Sequence, residues 1–271
     1  MKRKKTAEEF YDDHAKDYST INFPEGYSNA RAAMSFADDI TWHFMVKYLP
    51  KEKDITILDA GAGDGFWAQK YVELGYKNIV LTDISSGMLK QAKERFAKLS
   101  IEQNVQYVKS DIVNMMEFEN DFFDYVYSQY DPVSYSLKPK EALKELARVA
   151  KKGAYVITCL DTKFRRVPEL IEAGMIKEAK ELLETNISYD FEHPQYNLTW
   201  EELTECYKNA GLEVIEIIGA PVFMHQVNEE ILAKLASDPK IRKELLEIEL
   251  KYCIKPSLAN FAGHLQMVGR K

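Results

Sequence analysis

Residues 55–85 read ITILDAGAGDGFWAQKYVELGYKNIVLTDIS. Ile55 to Ala60 is a short, β-branched apolar run, the composition of a buried parallel strand. Gly61, Gly63 and Gly65 follow at alternate positions, where a chain can turn sharply and bring its backbone against a ligand. Phe66 to Leu74 then reads as a helix and Ile79 to Thr82 as a second strand, with Asp83 at its end. The free N–H groups and positive dipole end of such a helix favour a negatively charged ligand group. A carboxylate closing the second strand of a βαβ unit is placed to accept hydrogen bonds from a ribose diol. The stretch predicts one half of a nucleoside-binding sheet.

The spacing of the glycines separates two kinds of nucleoside site. A dinucleotide fingerprint places a small residue at the sixth position of G-x-G-x-x-G/A, for close helix–strand packing. Here the frame is G-A-G-D-G-F, and the sixth position is Phe66. The run Asp59-Ala60-Gly61-Ala62-Gly63-Asp64-Gly65 resembles instead the first motif of class I S-adenosylmethionine-dependent methyltransferases. Three landmarks follow in order: Asp83 after strand two, Asp111-Ile112 after strand three, and a fourth strand ending near Gln129. The resemblance spans residues 50–160 and, in part, 199–219 and 263–271.

That resemblance implies an α/β fold: a Rossmann-like, seven-stranded methyltransferase sheet with helices on both faces. Its last strand would insert antiparallel between strands five and six. It also implies S-adenosylmethionine as cofactor. Asp59, Gly61, Ala62 and Gly63 would form the loop at its methionine end, and Arg31 would pair with its carboxylate. Asp83 would take the ribose, Ile84 and Met88 the adenine face, and Asp111 with Ile112 the adenine amine. Tyr18 and Gln129 would complete the site. Two competing readings are a cofactor-binding sensor or scaffold without catalysis, and an NAD(P)-linked oxidoreductase.

Working outward, residues 6–20 form an amphipathic segment with Phe10, Tyr11, His14 and Tyr18 at helical spacing. Phe10-Tyr11-Asp12, Ala15 and Tyr18 resemble the opening helix that lids the cofactor in many small-molecule methyltransferases. Pro24 and Gly26 mark a hinge before a helix from about residue 29 to 48. The expected division is an N-terminal helical lid, 1–49, and a methyltransferase domain, 50–271. Ser86 is expected to cap a helix through Leu99 whose cationic face (Lys90, Lys93, Arg95, Lys98) is solvated surface. Strands alternating with helices continue to Leu160 and argue a parallel sheet. Two insertions, 161–198 and 220–262, break that rhythm, and the first carries no strand signal. Thr199 and Glu202 form a capping box, and His264 to Arg270 reads as the final strand.

Methyl transfer is an in-line displacement that needs mainly proximity and alignment, so no metal and no covalent nucleophile is expected. Candidates for a base or a site-lining group are His14, Tyr130, His193 and His225, joined by Tyr11; His43 and His264 sit inside element patterns and are set aside. The insertions are rich in aromatic and related side chains (Phe164, Tyr189, Phe191, His193, Phe223, Met224, His225). They predict an apolar acceptor pocket, with Arg165 or Arg166 available to an anionic group. A formal charge of −7 over 271 residues gives no general attraction for nucleic acid or anionic lipid. Residues 1–5 are expected to be a solvated basic tail, lacking the apolar core of a secretory signal; no apolar run reaches membrane length, and the three cysteines suit neither a disulfide framework nor a zinc cluster. The expected partner is a small-molecule methyl acceptor rather than nucleic acid or membrane, and the expected location is the cytoplasm.

Overall fold

The structure is a computed structural model describing residues 5–18, 30–190 and 193–271, without the side chains of Ala30, Arg31 and Asp190. Its strands are β1 Thr56–Ala60, β2 Asn78–Asp83, β3 Val105–Lys109, β4 Phe123–Ser128 and β5 Ala150–Asp161. They continue with β6 Ile187–Asp190, β7 His193–Tyr196, β8 Glu213–Ala220 and β9 His264–Arg270. Seven of them form one sheet in the order β3-β2-β1-β4-β5-β9-β8. β1 to β5 run parallel, and β9 runs antiparallel to both β5 and β8. This is the expected class, reversed last strand included.

Both faces of the sheet are covered, which is why its strands are apolar at consecutive positions. Leu58, Val80, Val126 and Val156 look towards the helices Pro139–Val149 and Trp200–Asn209. Their neighbours Ile57, Ile79, Tyr125 and Ile157 look the other way, towards the helices Ala30–Lys47, Phe66–Glu73 and Ser86–Lys98. Alternation within each strand is thus preserved, but between two apolar faces. The carboxyl ends of β1, β2, β3, β4 and β5 come out at one edge, where ligands of open α/β sheets bind.

Two local expectations change. The helix after β2 is capped by Ser85, not Ser86: the Ser85 hydroxyl accepts from the Met88 N–H at 3.0 Å. The first insertion, 161–198, holds not only helices Lys163–Glu172 and Ile176–Thr185 but also the antiparallel pair β6–β7. The Thr199–Glu202 capping box forms in both directions. In the second insertion, helices Glu229–Ala236 and Pro239–Tyr252 lead back to β9. Its Met224 and Leu232 pack with Ala33 and Phe36 of the helix Ala30–Lys47. The N-terminal helix is Ala7–His14, closed at its start by a Thr6–Glu9 capping box. The hinge at Pro24 and Gly26 lies outside the described residues.

Candidate active site

A cavity of about 1160 Å³ opens along the carboxyl edge of the sheet, and the N-terminal helix contributes to its wall. Its floor is the turn after β1. The Gly61 and Ala62 N–H groups both donate to the Thr82 carbonyl at 2.8 Å, fixing the turn against β2. A Cβ at Gly61 would lie 2.3 Å from Pro132, so glycine lets the loop after β1 touch the loop after β4. At Gly63 (φ +56°) the nearest atom to such a Cβ is the Met88 methyl, at 3.5 Å, which leaves the backbone open to a ligand. Arg95, itself on the cavity wall, holds the loop. Its Nε donates to the Asp64 carbonyl at 2.9 Å, and its guanidinium pairs with the Asp64 carboxylate. Arg95 therefore has a structural task that its place on a cationic helix face hid.

Asp83 sits beside that loop and accepts from the Gly63 N–H at 2.9 Å and the Ser85 N–H at 2.8 Å. Burial pushes its carboxyl up to about 6, against the pull of those donors; the nearby Asp12 carboxylate adds to the rise. Asp111 and Ile112 line the same cavity, Asp111 bracing its turn by accepting from the Val113 N–H at 3.1 Å.

The far end of the cavity is built differently. Tyr130 and Asp131 adopt positive φ values of +56° and +79° in succession, a left-handed geometry that costs non-glycine residues energy. The pair is held by the Asp131 N–H donating to the Cys159 carbonyl at 3.1 Å and the Asp161 N–H donating to Asp131 Oδ1 at 2.7 Å. The Tyr130 hydroxyl donates to Asp38 at 2.5 Å. Asp161 accepts from Arg165 Nη2 at 2.8 Å and Gln195 Nε2 at 2.9 Å, and lies 3.5 Å from His264 Nε2. Burial alone would raise the Asp161 carboxyl, but Arg165 above all, with His264 and Gln195, brings it down to about 2. His264 is pushed below its ordinary value by burial and by Arg165, against the opposing pull of Asp161.

Ten of the twelve residues assigned to the cofactor line this cavity: Tyr18, Gly61, Ala62, Gly63, Asp83, Ile84, Met88, Asp111, Ile112 and Gln129. Asp59 does not. Its carboxyl is buried behind the loop, accepts from the Tyr127 hydroxyl at 3.0 Å, and is raised to about 8 by burial. The Arg31 side chain lies outside the described residues. Tyr11 and Tyr130 line the cavity; His14, His193 and His225 do not. His193 is wholly buried between Phe10, Tyr11 and Tyr135, with ring centroids 4.8, 5.7 and 4.5 Å away. The His14 ring packs on Phe10 at 4.4 Å. Burial and Arg165 push His225 down to about 4.

The first insertion reaches the cavity through Asp161, Arg165, Arg166, Glu169 and Pro194, while no residue of the second, 220–262, lines it. The expected aromatic pocket at Tyr189, Phe223 and His225 is therefore not part of this wall, and Phe191 lies outside the described residues. Asp38 and Asp161 carried no sequence signal as site residues, Asp131 stands in the segment after strand four that the family motif places near the transferred methyl, and His264 was set aside because a strand pattern explained it. Asp131, Asp161 and His264 also gather candidate metal-ligand atoms within 4.8 Å of one another. Arg165 already balances Asp161 there, so this is first an ion-paired cluster.

Gln129 is 4% exposed, lines the cavity, and has neither amide atom hydrogen-bonded within the protein. A buried polar group of that kind awaits a ligand. With the open Gly63 backbone and the Asp83 carboxylate, it fits an adenosyl ligand with a charged amino-acid end.

Residues 57–153 match the methyltransferase domain family model. The Campylobacter jejuni ubiquinone/menaquinone biosynthesis C-methyltransferase UbiE is 27% identical over 217 residues, covering 70% of this chain and 86% of the relative. The Escherichia coli tRNA 5-carboxymethoxyuridine methyltransferase is 22% identical over 274 residues, covering 96% of this chain and 95% of the relative. A name assigning that relative to tRNA removes the basis for setting nucleic acid aside on charge alone. Among solved structures, the Haloferax volcanii methyltransferase in complex with the Trm112 activator aligns with a TM-score of 0.61 at 16% identity, over 100% of this chain and 99% of that one. That likeness shows the fold. No helix among the described residues is long and apolar enough to cross a membrane. None of these matches favours the oxidoreductase or sensor readings. The glycine motif, the reversed last strand and the domain match make the chain a class I S-adenosylmethionine-dependent methyltransferase.

Proposed function

We propose that the chain methylates a compact organic acceptor held in the same cavity as the cofactor, with residues 1–49 acting as the lid of a methyltransferase domain spanning 50–271. One observation carries this reading. The cavity, about 1160 Å³, exceeds the roughly 300–1,000 Å³ of a single small-ligand site, and its two ends differ in chemistry. The loop at Gly61–Gly63, Asp83, Asp111, Ile112 and Met88 would hold the adenosyl ligand. Tyr130, Asp131, Asp161 and His264 would face the acceptor. Adenosylmethionine supplies an electrophilic methyl group on a sulfonium sulfur. The protein aligns the acceptor with it and keeps water out, so its contribution is chiefly proximity and orientation.

The test is calorimetry with adenosylhomocysteine, then a screen of small acceptors read by mass spectrometry of methylated product. Tight adenosyl binding with transfer to a small acceptor is the expected result. Failure to bind the adenosyl ligand overturns the reading. A second reading, methylation of tRNA, draws on the E. coli relative, which spans nearly the whole chain. The chain's net charge of −7 and the acidic cavity speak for the first.

A further inference from the structure

We propose that Asp38 is the general base of the transfer, oriented by Tyr130, and that the acceptor is a weakly acidic hydroxyl, a phenol or an enol. This rests on the methyl-transfer reading and adds the base and the acceptor's class. The histidines considered from the sequence do not supply a base, since His14, His193 and His225 stand off the cavity wall. The Tyr130 hydroxyl already donates its proton to Asp38. Asp38 itself lines the cavity, one helical turn from Met34, on the face of the helix Ala30–Lys47 that meets the loop after β4.

Its surroundings set it apart from its neighbour in the chain. Asp39 is ion-paired with Arg242. Asp38 is half-buried, and among the described residues its one hydrogen bond is the Tyr130 hydroxyl on Oδ1, which leaves Oδ2 to a ligand. A carboxylate taken from water without a cation is costly to keep for structure alone, and on a cavity wall it is placed for chemistry. Burial raises Asp38 above the ordinary carboxylate value, against the Tyr130 hydroxyl and Lys70 of the helix Phe66–Glu73; Asp39 adds to the rise. A raised carboxylate is the stronger base. The Tyr130 ring stands between Trp67, beside the glycine loop, and His264 of β9, with centroids 5.8 and 4.8 Å away. The pair thus sits where the cofactor and acceptor ends of the cavity meet. Tyr130 holds that place with a left-handed backbone, φ +56°, a strain that clusters at functional positions.

The chemistry of a base at this point selects the acceptor. A neutral amine attacks through its lone pair and needs no base during the displacement, and a carboxylate is already ionised at pH 7. A phenol or enol hydroxyl keeps its proton at pH 7 and becomes a good nucleophile only as that proton leaves. An oxygen electron pair forms the new O–CH₃ bond while the methyl's bond to sulfur breaks, its electron pair staying on sulfur as a neutral thioether. The hydroxyl proton passes to Asp38 Oδ2, and the resulting carboxyl group later returns it to solvent. A sulfonium cation and a carboxylate anion are thereby discharged in one step, which a water-poor cavity favours.

The test measures transfer from saturating adenosylmethionine to p-cresol, 4-nitrophenol, benzylamine and benzoate by mass spectrometry, with adenosylhomocysteine affinity by calorimetry. The chain is expected to methylate p-cresol at oxygen, with kcat falling as pH is lowered through the Asp38 titration. Asp38→Asn should slow p-cresol about 10²–10⁴-fold, the usual contribution of a general base, while adenosylhomocysteine affinity stays within about threefold. The same variant should slow 4-nitrophenol, largely ionised at pH 8, by less than about tenfold, a difference that a merely structural role would not produce. Tyr130→Phe removes a hydrogen bond that holds Asp38 down, and should move the acid limb of kcat to higher pH. Should Asp38→Asn unfold, an unmoved limb in Tyr130→Phe overturns the proposal. Preference for benzylamine or benzoate overturns it too, as does equal slowing of both phenols, or none, in folded Asp38→Asn. So does failure to methylate either phenol in a chain that binds adenosylhomocysteine. Absence of adenosyl binding itself would instead fail the methyl-transfer reading.

Discussion

Asp59 and Asp83 are two carboxylates near one loop with opposite surroundings, and the contrast yields paired predictions. Asp83 lines the cavity and titrates near 6. Its ionised form is the better acceptor for a diol, so cofactor affinity should fall as pH is lowered from 7.5 through 6, approaching tenfold per pH unit below it. Asp83→Asn should bind ten- to a thousandfold more weakly at pH 7.5, the range set by losing charge-assisted hydrogen bonds of about 1.5–3 kcal/mol, and should lose the pH dependence. Calorimetry across that range decides. Asp59 is raised to about 8, so folding at neutral pH requires it to take up a proton that the unfolded chain does not hold. That penalty grows from pH 4 to 8 and is fully present above 8. Asp59→Asn removes it, and should stabilise the protein by about 1–3 kcal/mol at pH 8 with the gain shrinking toward pH 4. Cofactor affinity should stay within about threefold, since each tenfold step is 1.4 kcal/mol and Asp59 lies behind the wall. Loss comparable to Asp83→Asn would put Asp59 in contact with the ligand.

At the scale of elements, the docking of the N-terminal helix depends on a missing side chain. Asp12 Oδ1 accepts from the Ser85 hydroxyl at 2.6 Å and the Gly87 N–H at 2.8 Å, at the start of the helix that follows Asp83. A Cβ at Gly87 would lie 2.8 Å from that of Ala15 and 3.2 Å from Asp12 Oδ1. Gly87→Ala should therefore lift the helix while leaving the domain folded, since alanine is the better helix former by about 0.8–1.0 kcal/mol. Losing two hydrogen bonds of about 1 kcal/mol each should weaken cofactor binding about tenfold or somewhat more. Hydrogen exchange in residues 7–14 should rise in parallel; unchanged exchange and affinity would count against a lid.

The elements that were legible in advance had strong local signals: apolar runs for β1, β2 and β4, and the capping box at Thr199. The β6–β7 pair had none, because the side chains it buries are polar. Ser188, His193, Gln195 and Asn197 point inward, with Asn197 donating to Ser188 Oγ at 2.8 Å and Gln195 to Asn197 Oδ1 at 3.1 Å. Alternating hydrophobicity cannot reveal such a strand. The cofactor end of the cavity was readable because one contiguous motif builds most of it. The acceptor end joins Asp38, Asp131, Asp161 and His264 from four separate segments, and only the sheet order brings them together.

For the molecule as a whole, net charge and the likeness to the tRNA methyltransferase point in different directions on a polyanionic substrate, and binding decides between them. The chain has 43 acidic and 36 basic residues, and among the described residues the cavity wall carries eight carboxylates against four Lys or Arg side chains. Proteins that hold RNA gain most of their non-specific affinity by neutralising phosphates, with dissociation constants of roughly 10⁻⁴–10⁻⁶ M. A surface with net like charge forgoes that gain, whereas a small neutral acceptor is untouched by it. On charge alone, filter binding at about 0.15 M salt, close to physiological ionic strength, should retain no tRNA at low-micromolar protein, and methylation of a small acceptor should proceed at the same rate with and without RNA. Both follow from the chain's net charge of −7. Low-micromolar tRNA binding that collapses as salt is raised would reverse the argument, and would make the likeness to the tRNA methyltransferase the better guide to the acceptor.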